Sequence, residues 1–109
     1  MRVIAGAGQF VRPDAQHGTH WAEQLRVLDL SVGTYSIPAG GVDDQEPHSE
    51  DEIYVVMAGR ARFEAGADSV DAVPGTVMYV SAGEEHRFAE VTEDLAVLVL
   101  FAPAEGSRA

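Results

Sequence analysis

The sequence predicts an all-β protein folded as an antiparallel barrel or sandwich. Strand-like runs are short and regularly spaced, glycine and proline separate them, and helical periodicity is weak along the whole chain. The 109 residues match the size of one ordinary domain, and a hydrophobic content of 46% is sufficient for one core. We therefore expect a single domain over residues 1–109.

The predicted strands follow one another between turn-forming residues. They cover residues 28–37, 52–57, 60–65, 69–73, 77–80, 86–91 and 95–101. Gly59 and Arg60 have the position of a tight hairpin turn between the second and third of these strands. The run at 95–101 is apolar at every position, which favours a strand buried on both faces or one that pairs at a subunit interface.

The two ends of the chain are expected to differ from the barrel, which we place at 28–102. Residues 1–27 are predicted to form an N-terminal arm with short edge strands at 2–4 and 9–11. Within the arm, residues 21–28 are the best helix candidate because apolar residues recur there at helical spacing, and we expect one or two helical turns at most. The tail at 103–109 is mostly small and polar and is predicted to be frayed.

Composition excludes several classes of function. The chain has no cysteine and no lysine, which excludes disulfides, thiolate metal ligands and lysine Schiff bases. A net charge of −11 disfavours nucleic acids and anionic membranes as partners, and it favours a metal cation or a neutral or cationic small molecule. No apolar run has the length of a membrane span or the form of a signal peptide, so we predict a cytoplasmic protein.

Histidines and acidic residues recur in two segments that each begin at a glycine turn. Glu46 and His48 are two residues apart and share a face if the segment is extended, and Glu52 has the same parity. His86 shares its face with Phe88 in the same way. If the strands close into a barrel, two imidazoles and one or two carboxylates would converge and could bind a divalent transition metal. The alternative is that the histidines make structural hydrogen bonds and that the acids form a solvated loop.

The first segment resembles the first conserved motif of the cupin superfamily, G-x5-H-x-H-x3,4-E-x6-G. Gly40, His48, Glu52 and Gly59 match its spacing, and Glu46 replaces the first histidine of the motif.

The second segment resembles the second cupin motif, G-x5-P-x-G-x2-H-x3-N. Gly75, Gly83 and His86 match, while Ser81 replaces the proline and Glu90 replaces the asparagine. The resemblance implies a double-stranded β-helix, that is, a jelly-roll or cupin barrel, in a stand-alone bacterial domain. Cupins are commonly dimers, so it also implies a homodimer.

The resemblance also implies a metal site. His48, Glu52 and His86 take the positions of the family's metal ligands, and Glu46 takes the fourth position as a ligand or as a catalytic general base. The cofactor implied is one divalent metal, Fe, Mn, Ni or Zn.

Two functions follow from this resemblance. The first is a metal-dependent enzyme, oxygenase-like or isomerase-like, that acts on a small organic molecule. The alternative is a non-catalytic small-molecule-binding or sensor protein whose metal site is vestigial or absent. Phe88, Tyr35 and Tyr54 are the residues predicted to line the substrate pocket, Trp21 is expected in the core or at a dimer interface, and other histidines are assigned to the surface, namely His17 and His20.

Overall fold

The chain folds as one antiparallel sheet of six strands that curls into a barrel, as seen in a computed structural model that describes residues 1–108. The strands are β1 (His20–Arg26), β2 (Ser31–Ile37), β3 (Asp51–Ala65), β4 (Asp68–Ala72), β5 (Val77–Val80) and β6 (His86–Ala102). Their order in the sheet is β1-β2-β6-β3-β4, and β5 pairs with β3. No helix occurs in residues 1–108, so the predicted all-β class is confirmed.

The predicted hairpin at Gly59 and Arg60 is wrong. One long strand, β3, runs through this position and pairs with β6, and the register shifts around Gly59. Gly59 has φ +90°, and a Cβ atom there would lie 2.2 Å from the carbonyl oxygen of Asp94. Glycine is therefore needed for close approach of the neighbouring strand at a bulge, and it does not reverse the chain.

The predicted strands at 86–91 and 95–101 are likewise parts of one strand, β6. Glu90 interrupts its regular geometry with φ 49°, and the pairing with β3 is irregular between Arg60 and Arg62. The segment at 95–101 lies between β2 and β3, and most of its residues are buried, including Leu95 and Val97. Only Leu98 and Leu100 are half-buried, and burial of the other side chains agrees with the apolar character of this run.

The helix candidate at 21–28 is also wrong, because this part of the chain forms β1. Half-buried and exposed residues alternate along β1 until a register shift between Glu23 and Leu25. Trp21 lies over Gly33 of β2, where any side chain would clash with the indole ring.

The N-terminal arm contains no strand at 2–4 or 9–11, contrary to the prediction. Its backbone instead donates hydrogen bonds to side-chain hydroxyl groups of β2. The amide of Gly8 donates to Thr34 Oγ1 at 2.8 Å, and the amide of Val11 donates to Ser36 Oγ at 3.1 Å. These contacts hold the arm without a strand ladder.

The tail is held in place as far as residue 108, whereas the prediction was a frayed end. The amide of Glu105 donates to Ser31 Oγ at 2.9 Å. The amides of Gly106 and Arg108 donate to the two carboxylate oxygens of the buried Glu50 at 2.8 and 3.1 Å. The prediction for Ala109 falls outside the described residues.

The core lies inside the curled sheet and is formed by side chains of β2, β3, β5 and β6. Its largest fully buried apolar members are Tyr54, Phe88, Ile37 and Leu95. Within residues 1–108 there is no helix that could span a membrane.

Candidate functional site

Three buried side chains meet at one end of the barrel, and we call them the strand half of the site: Glu52 and Tyr54 on β3, and His86 at the start of β6. Each is at most 7% exposed. The Nε2 atom of His86 lies 3.0 Å from Glu52 Oε1 and 2.8 Å from the hydroxyl oxygen of Tyr54. Its Nδ1 atom lies 2.8 Å from the backbone carbonyl oxygen of Glu84. Because a carbonyl only accepts, Nδ1 carries a proton and Nε2 faces the site.

The surroundings of the strand half shift the protonation of two of its members. Burial lowers the pKa of His86, but the hydrogen bonds to Glu52 and to the carbonyl of Glu84 outweigh burial, so that the pKa is raised above its ordinary value. Burial and the nearby Glu52 carboxylate raise the pKa of Tyr54, which therefore keeps its proton at neutral pH.

Glu52 has one carboxylate oxygen that is not satisfied. Oε1 faces His86, whereas Oε2 is buried and has no hydrogen-bond partner among residues 1–108. Leaving a buried acceptor unpaired costs about 1–3 kcal/mol, and more when the group is charged. A cationic or proton-donating partner near Oε2 would therefore stabilise the buried Glu52 carboxylate.

The loop half of the site consists of Gln45 and His48, which lie in the segment of residues 38–50 between β2 and β3. This segment has no regular secondary structure. The side chain of His48 is 23% exposed, and its ring packs against Phe101 with the ring centroids 4.8 Å apart. Its Nε2 atom lies 3.4 Å from Gln45 Oε1, and its Nδ1 atom lies 3.5 Å from Glu105 Oε2. Burial raises the pKa of Glu105, although His48 acts in the opposite direction.

The two halves are joined through Gln45 and Tyr54. The Tyr54 hydroxyl lies 3.1 Å from Gln45 Oε1, so contacts run from His48 through Gln45 and Tyr54 to His86. The ring centroids of the two histidines are 6.3 Å apart.

A buried carboxylate, Asp43, lies behind Gln45. Its Oδ1 accepts a hydrogen bond from the Tyr35 hydroxyl at 2.8 Å, and its Oδ2 accepts from the amide of Phe88 at 2.9 Å. The Gln45 side-chain nitrogen donates to the same Oδ2 at 2.9 Å. Burial and Asp43 together raise the pKa of Tyr35.

A cavity of about 220 Å³ opens beside the loop half. Aromatic and aliphatic side chains form much of its wall, and Asp44 and Glu105 add negative charge. The complete lining is Thr19, Trp21, Tyr35, Asp44, Gln45, His48, Tyr54, Val99, Phe101 and Glu105. Of the predicted pocket residues, Tyr35 and Tyr54 line this cavity, whereas Phe88 is a core residue that packs edge-on against Tyr54.

The predicted site residues are thus brought together only in part. Glu52 and His86 are in contact, and His48 lies nearby on the loop half. Glu46 is exposed and lines a second surface depression of about 360 Å³, which His86 and Gln45 also border. Three contributors were missed, Asp43, Gln45 and Glu105. Gln45 is adjacent to a motif position and Asp43 lies in the same acidic segment, but no sequence pattern marks Glu105.

Among residues 1–108, no group of three or more His, Cys, Asp or Glu side chains is arranged to hold a metal ion. The donor nearest to His48 Nε2 is the amide oxygen of Gln45, and His86 Nε2 is in contact with Tyr54 as well as Glu52. The candidate donor atoms therefore form two pairs, His86 Nε2 with Glu52 Oε1 and His48 Nε2 with Gln45 Oε1. The donor from Gln45 is an amide oxygen.

The remaining histidines lie apart from the site. His17 is exposed, and its Nδ1 is 2.7 Å from Asp14 Oδ1. His20 begins β1 and is half-buried. Trp21 is partly exposed at the cavity wall and packs edge-on against Phe101, with the ring centroids 6.1 Å apart.

An antiparallel barrel that carries histidines and a carboxylate at one end is the architecture expected from the two sequence motifs. The sequence matches the cupin domain family Cupin_2 over residues 33–102. The chain belongs to this family, so the predicted fold and family are confirmed.

Comparisons with individual proteins agree with this assignment. An uncharacterized protein of Streptomyces coelicolor is 46% identical over 81 residues, which cover 74% of this chain and 77% of that protein. An RmlC-like cupin from Desulfovibrio desulfuricans has a TM-score of 0.77 at 20% identity, covering 95% of this chain and 99% of the other. The DMSP lyase DddQ from Ruegeria pomeroyi has a TM-score of 0.74 at 21% identity. This match covers 93% of the present chain but 54% of the lyase. At these identities the structural matches establish the fold.

Proposed function

We propose that the protein binds a small organic molecule in the 220 Å³ cavity, beside one divalent transition metal held by His48, Glu52 and His86. The observation that carries this proposal is the buried, unpartnered Oε2 atom of Glu52 next to His86. A cation at this position would satisfy that oxygen and would offset a carboxylate charge that is otherwise costly to bury.

The spacing within each pair of donors is compatible with the proposal, as it is with a hydrogen bond. Ligand atoms that each lie about 2.0–2.1 Å from one ion are separated by roughly 3.0–3.4 Å at ordinary coordination angles. His86 Nε2 and Glu52 Oε1 are 3.0 Å apart, and His48 Nε2 and Gln45 Oε1 are 3.4 Å apart. Each pair thus has the separation of neighbouring ligands, and imidazole with carboxylate suits Fe, Mn, Ni or Zn.

Residues of the cavity wall would bind and orient the organic molecule. A bound metal would supply Lewis acidity, which suits isomerase-like chemistry, and a redox-active metal such as Fe would suit oxygenase-like chemistry. Trp21 and Phe101 form an apolar part of the cavity wall, which would contact an apolar part of the molecule. Tyr54 keeps its proton because its pKa is raised. Its hydroxyl donates to Gln45 Oε1 in this structure and would have to exchange that partner to donate to an oxygen of the molecule. DddQ, named as a lyase, is an enzyme with this fold and supports a catalytic role.

A second candidate function is metal-free binding of a small molecule. It is favoured by the lack, in residues 1–108, of three acidic or histidine side chains arranged around one point. In this case the raised pKa of His86 would favour an imidazolium paired with Glu52, and the pair would serve a structural role or bind the polar end of the molecule.

Metal analysis of the protein purified without chelator distinguishes the two candidates. The first predicts close to one equivalent of a transition metal, and a rise in melting temperature when that metal is added back to stripped protein. His86→Ala and Glu52→Gln should lose both effects, whereas His17→Ala, a matched surface variant, should keep them. Failure of Fe, Mn, Ni and Zn to bind the wild type would reject the metal and leave the second candidate.

A further inference from the structure

Gln45 occupies the position near His48 that the sequence motif assigned to its neighbour Glu46. We propose that Gln45 supplies an oxygen ligand to the metal, and that the buried Asp43 is the positioning residue that holds the Gln45 amide oxygen toward the site. The inference rests on the proposed metal site. It adds a ligand and a positioning residue that lie outside the matched motif positions.

Hydrogen-bond chemistry fixes the orientation of the Gln45 amide. A carboxylate can only accept hydrogen bonds, so the Gln45 group that lies 2.9 Å from Asp43 Oδ2 must be the NH2 group. The carbonyl oxygen is therefore the atom directed toward His48 and Tyr54, at 3.4 and 3.1 Å. A reversed amide would leave two carbonyl-type acceptors facing each other at Asp43.

Asp43 is held in place by hydrogen bonds from other parts of the barrel, so it can position the Gln45 amide. It is 5% exposed, and donors from two strands reach it, the Tyr35 hydroxyl on β2 and the Phe88 amide on β6. A second contact to Gln45 comes from the backbone amide of that residue, which lies 3.3 Å from Oδ1. Asp43 thus connects the irregular segment 38–50 to the rigid wall of the barrel.

Glu46 is placed differently, although it is the next residue. It is exposed and lines the outer depression, and it is absent from the lining of the cavity that contains His48. The segment has no strand partner that would enforce a two-residue alternation, so Glu46 and His48 need not share a face. Gln45 lines both the cavity and the depression, whereas Glu46 lines the depression alone, so the adjacent pair allows a matched comparison.

The first test compares Gln45→Ala with Glu46→Ala, using Ni²⁺ or Co²⁺ alone as the probe. Calorimetric titration of metal-free protein should show that Gln45→Ala weakens binding by about tenfold or more, while Glu46→Ala stays within about twofold of the wild type. The d–d absorption of bound Co²⁺ should change in Gln45→Ala, because an oxygen donor is lost, and not in Glu46→Ala. The opposite ranking would overturn the assignment of the ligand.

The second test asks whether Asp43 acts through Gln45. Asp43→Ala should weaken metal binding in the wild-type background and have no further effect in the Gln45→Ala background. Asp43→Asn should retain most of the binding, because its carbonyl oxygen can still accept from the Phe88 amide and the Gln45 side chain. Its NH2 group would donate to the Tyr35 oxygen and would lose only the long contact from the Gln45 backbone amide at 3.3 Å. Equal losses for Asp43→Ala in both backgrounds would indicate general damage to the fold and would overturn the positioning role.

The outcomes separate this inference from the proposed function. Metal binding by the wild type with no effect of Gln45→Ala would reject the new ligand and keep the proposed site. No metal binding by the wild type would reject both. Thermal melting of each metal-free variant confirms that affinities are compared between folded proteins.

Discussion

The strand half of the site and the loop half are held in different ways. Glu52, Tyr54 and His86 project from paired strands and are nearly inaccessible to solvent. Gln45 and His48 lie in a segment without regular secondary structure, and His48 is partly exposed. The strand half is therefore built into the fold, whereas the loop half depends on a few side-chain hydrogen bonds.

The largest difference between the halves is expected when each histidine is removed. His86→Ala should lower the free energy of unfolding by about 3–5 kcal/mol, because it leaves Glu52 buried without its partner. His48→Ala should cost only about 1 kcal/mol, since the ring is partly exposed. Urea denaturation in the presence of a chelator measures both values. Similar losses for the two variants would remove the distinction between the halves.

Alanine substitution of two glycines, one in β3 and one in segment 38–50, should also cost different amounts of stability. Gly59→Ala should cost about 3 kcal/mol or more, because the new Cβ would clash with Asp94 at a positive φ and disturb the pairing of β3 with β6. Gly40→Ala, in the segment that carries the loop half, has φ +78° with open space around it and should cost about 1 kcal/mol. The same denaturation assay ranks them, and the reverse order would contradict the bulge at Gly59.

A smaller change in the free energy of unfolding is expected at Glu90, where the geometry of β6 is irregular. Glu90 is exposed and has φ 49°, a conformation that asparagine tolerates better than glutamate. Glu90→Asn should therefore raise the free energy of unfolding by about 0.5 kcal/mol. Glu93→Asn is the control, because Glu93 is exposed on the same strand without a positive φ. A gain of equal size in both variants would point to surface charge as the cause.

The smallest effect on stability is expected outside both halves, at the Arg62–Asp71 pair between β3 and β4. The hydrogen bond and charge of Arg62 lower the pKa of Asp71, with Nη1 2.7 Å from Oδ1. Since the folded pKa is below the unfolded value of about 3.9, this pair stabilises the fold above that pH and loses its effect as the pH falls through the folded pKa. An NMR titration of Arg62→Ala should show the pKa of Asp71 rising toward its ordinary value. Asp14, whose pKa is lowered by His17, should not move.

The class of fold was predictable from the sequence, because strands impose a two-residue alternation. The structure brings Glu52 and His86 into contact, and their role as site residues stays a prediction. Glu52 and His86 were identified as site residues by motif spacing, and β5 was predicted with its observed bounds. The loop half was less predictable. Without a strand ladder, parity did not determine whether Gln45 or Glu46 faces the cavity, and hydrogen bonds to Asp43 decide it.

Other features depended on contacts between residues distant in sequence. The role of Gly59 is set by Asp94 on the neighbouring strand, so local sequence suggested a turn. The order in the tail comes from Glu50, which lies more than fifty residues earlier in the chain. The homodimer, the cytoplasmic location, and the presence and identity of a metal stay predictions.

The anchored tail has a consequence for how the cavity responds to its contents. Glu105 contributes to the cavity wall beside His48, and the following amides are held by Glu50. Opening of the tail and binding in the cavity are therefore thermodynamically linked, since a molecule that contacts Glu105 makes release of the tail less favourable. The amides of Glu105, Gly106 and Arg108 should exchange with deuterium more slowly when the cavity is filled, which makes the end of the chain a reporter of occupancy.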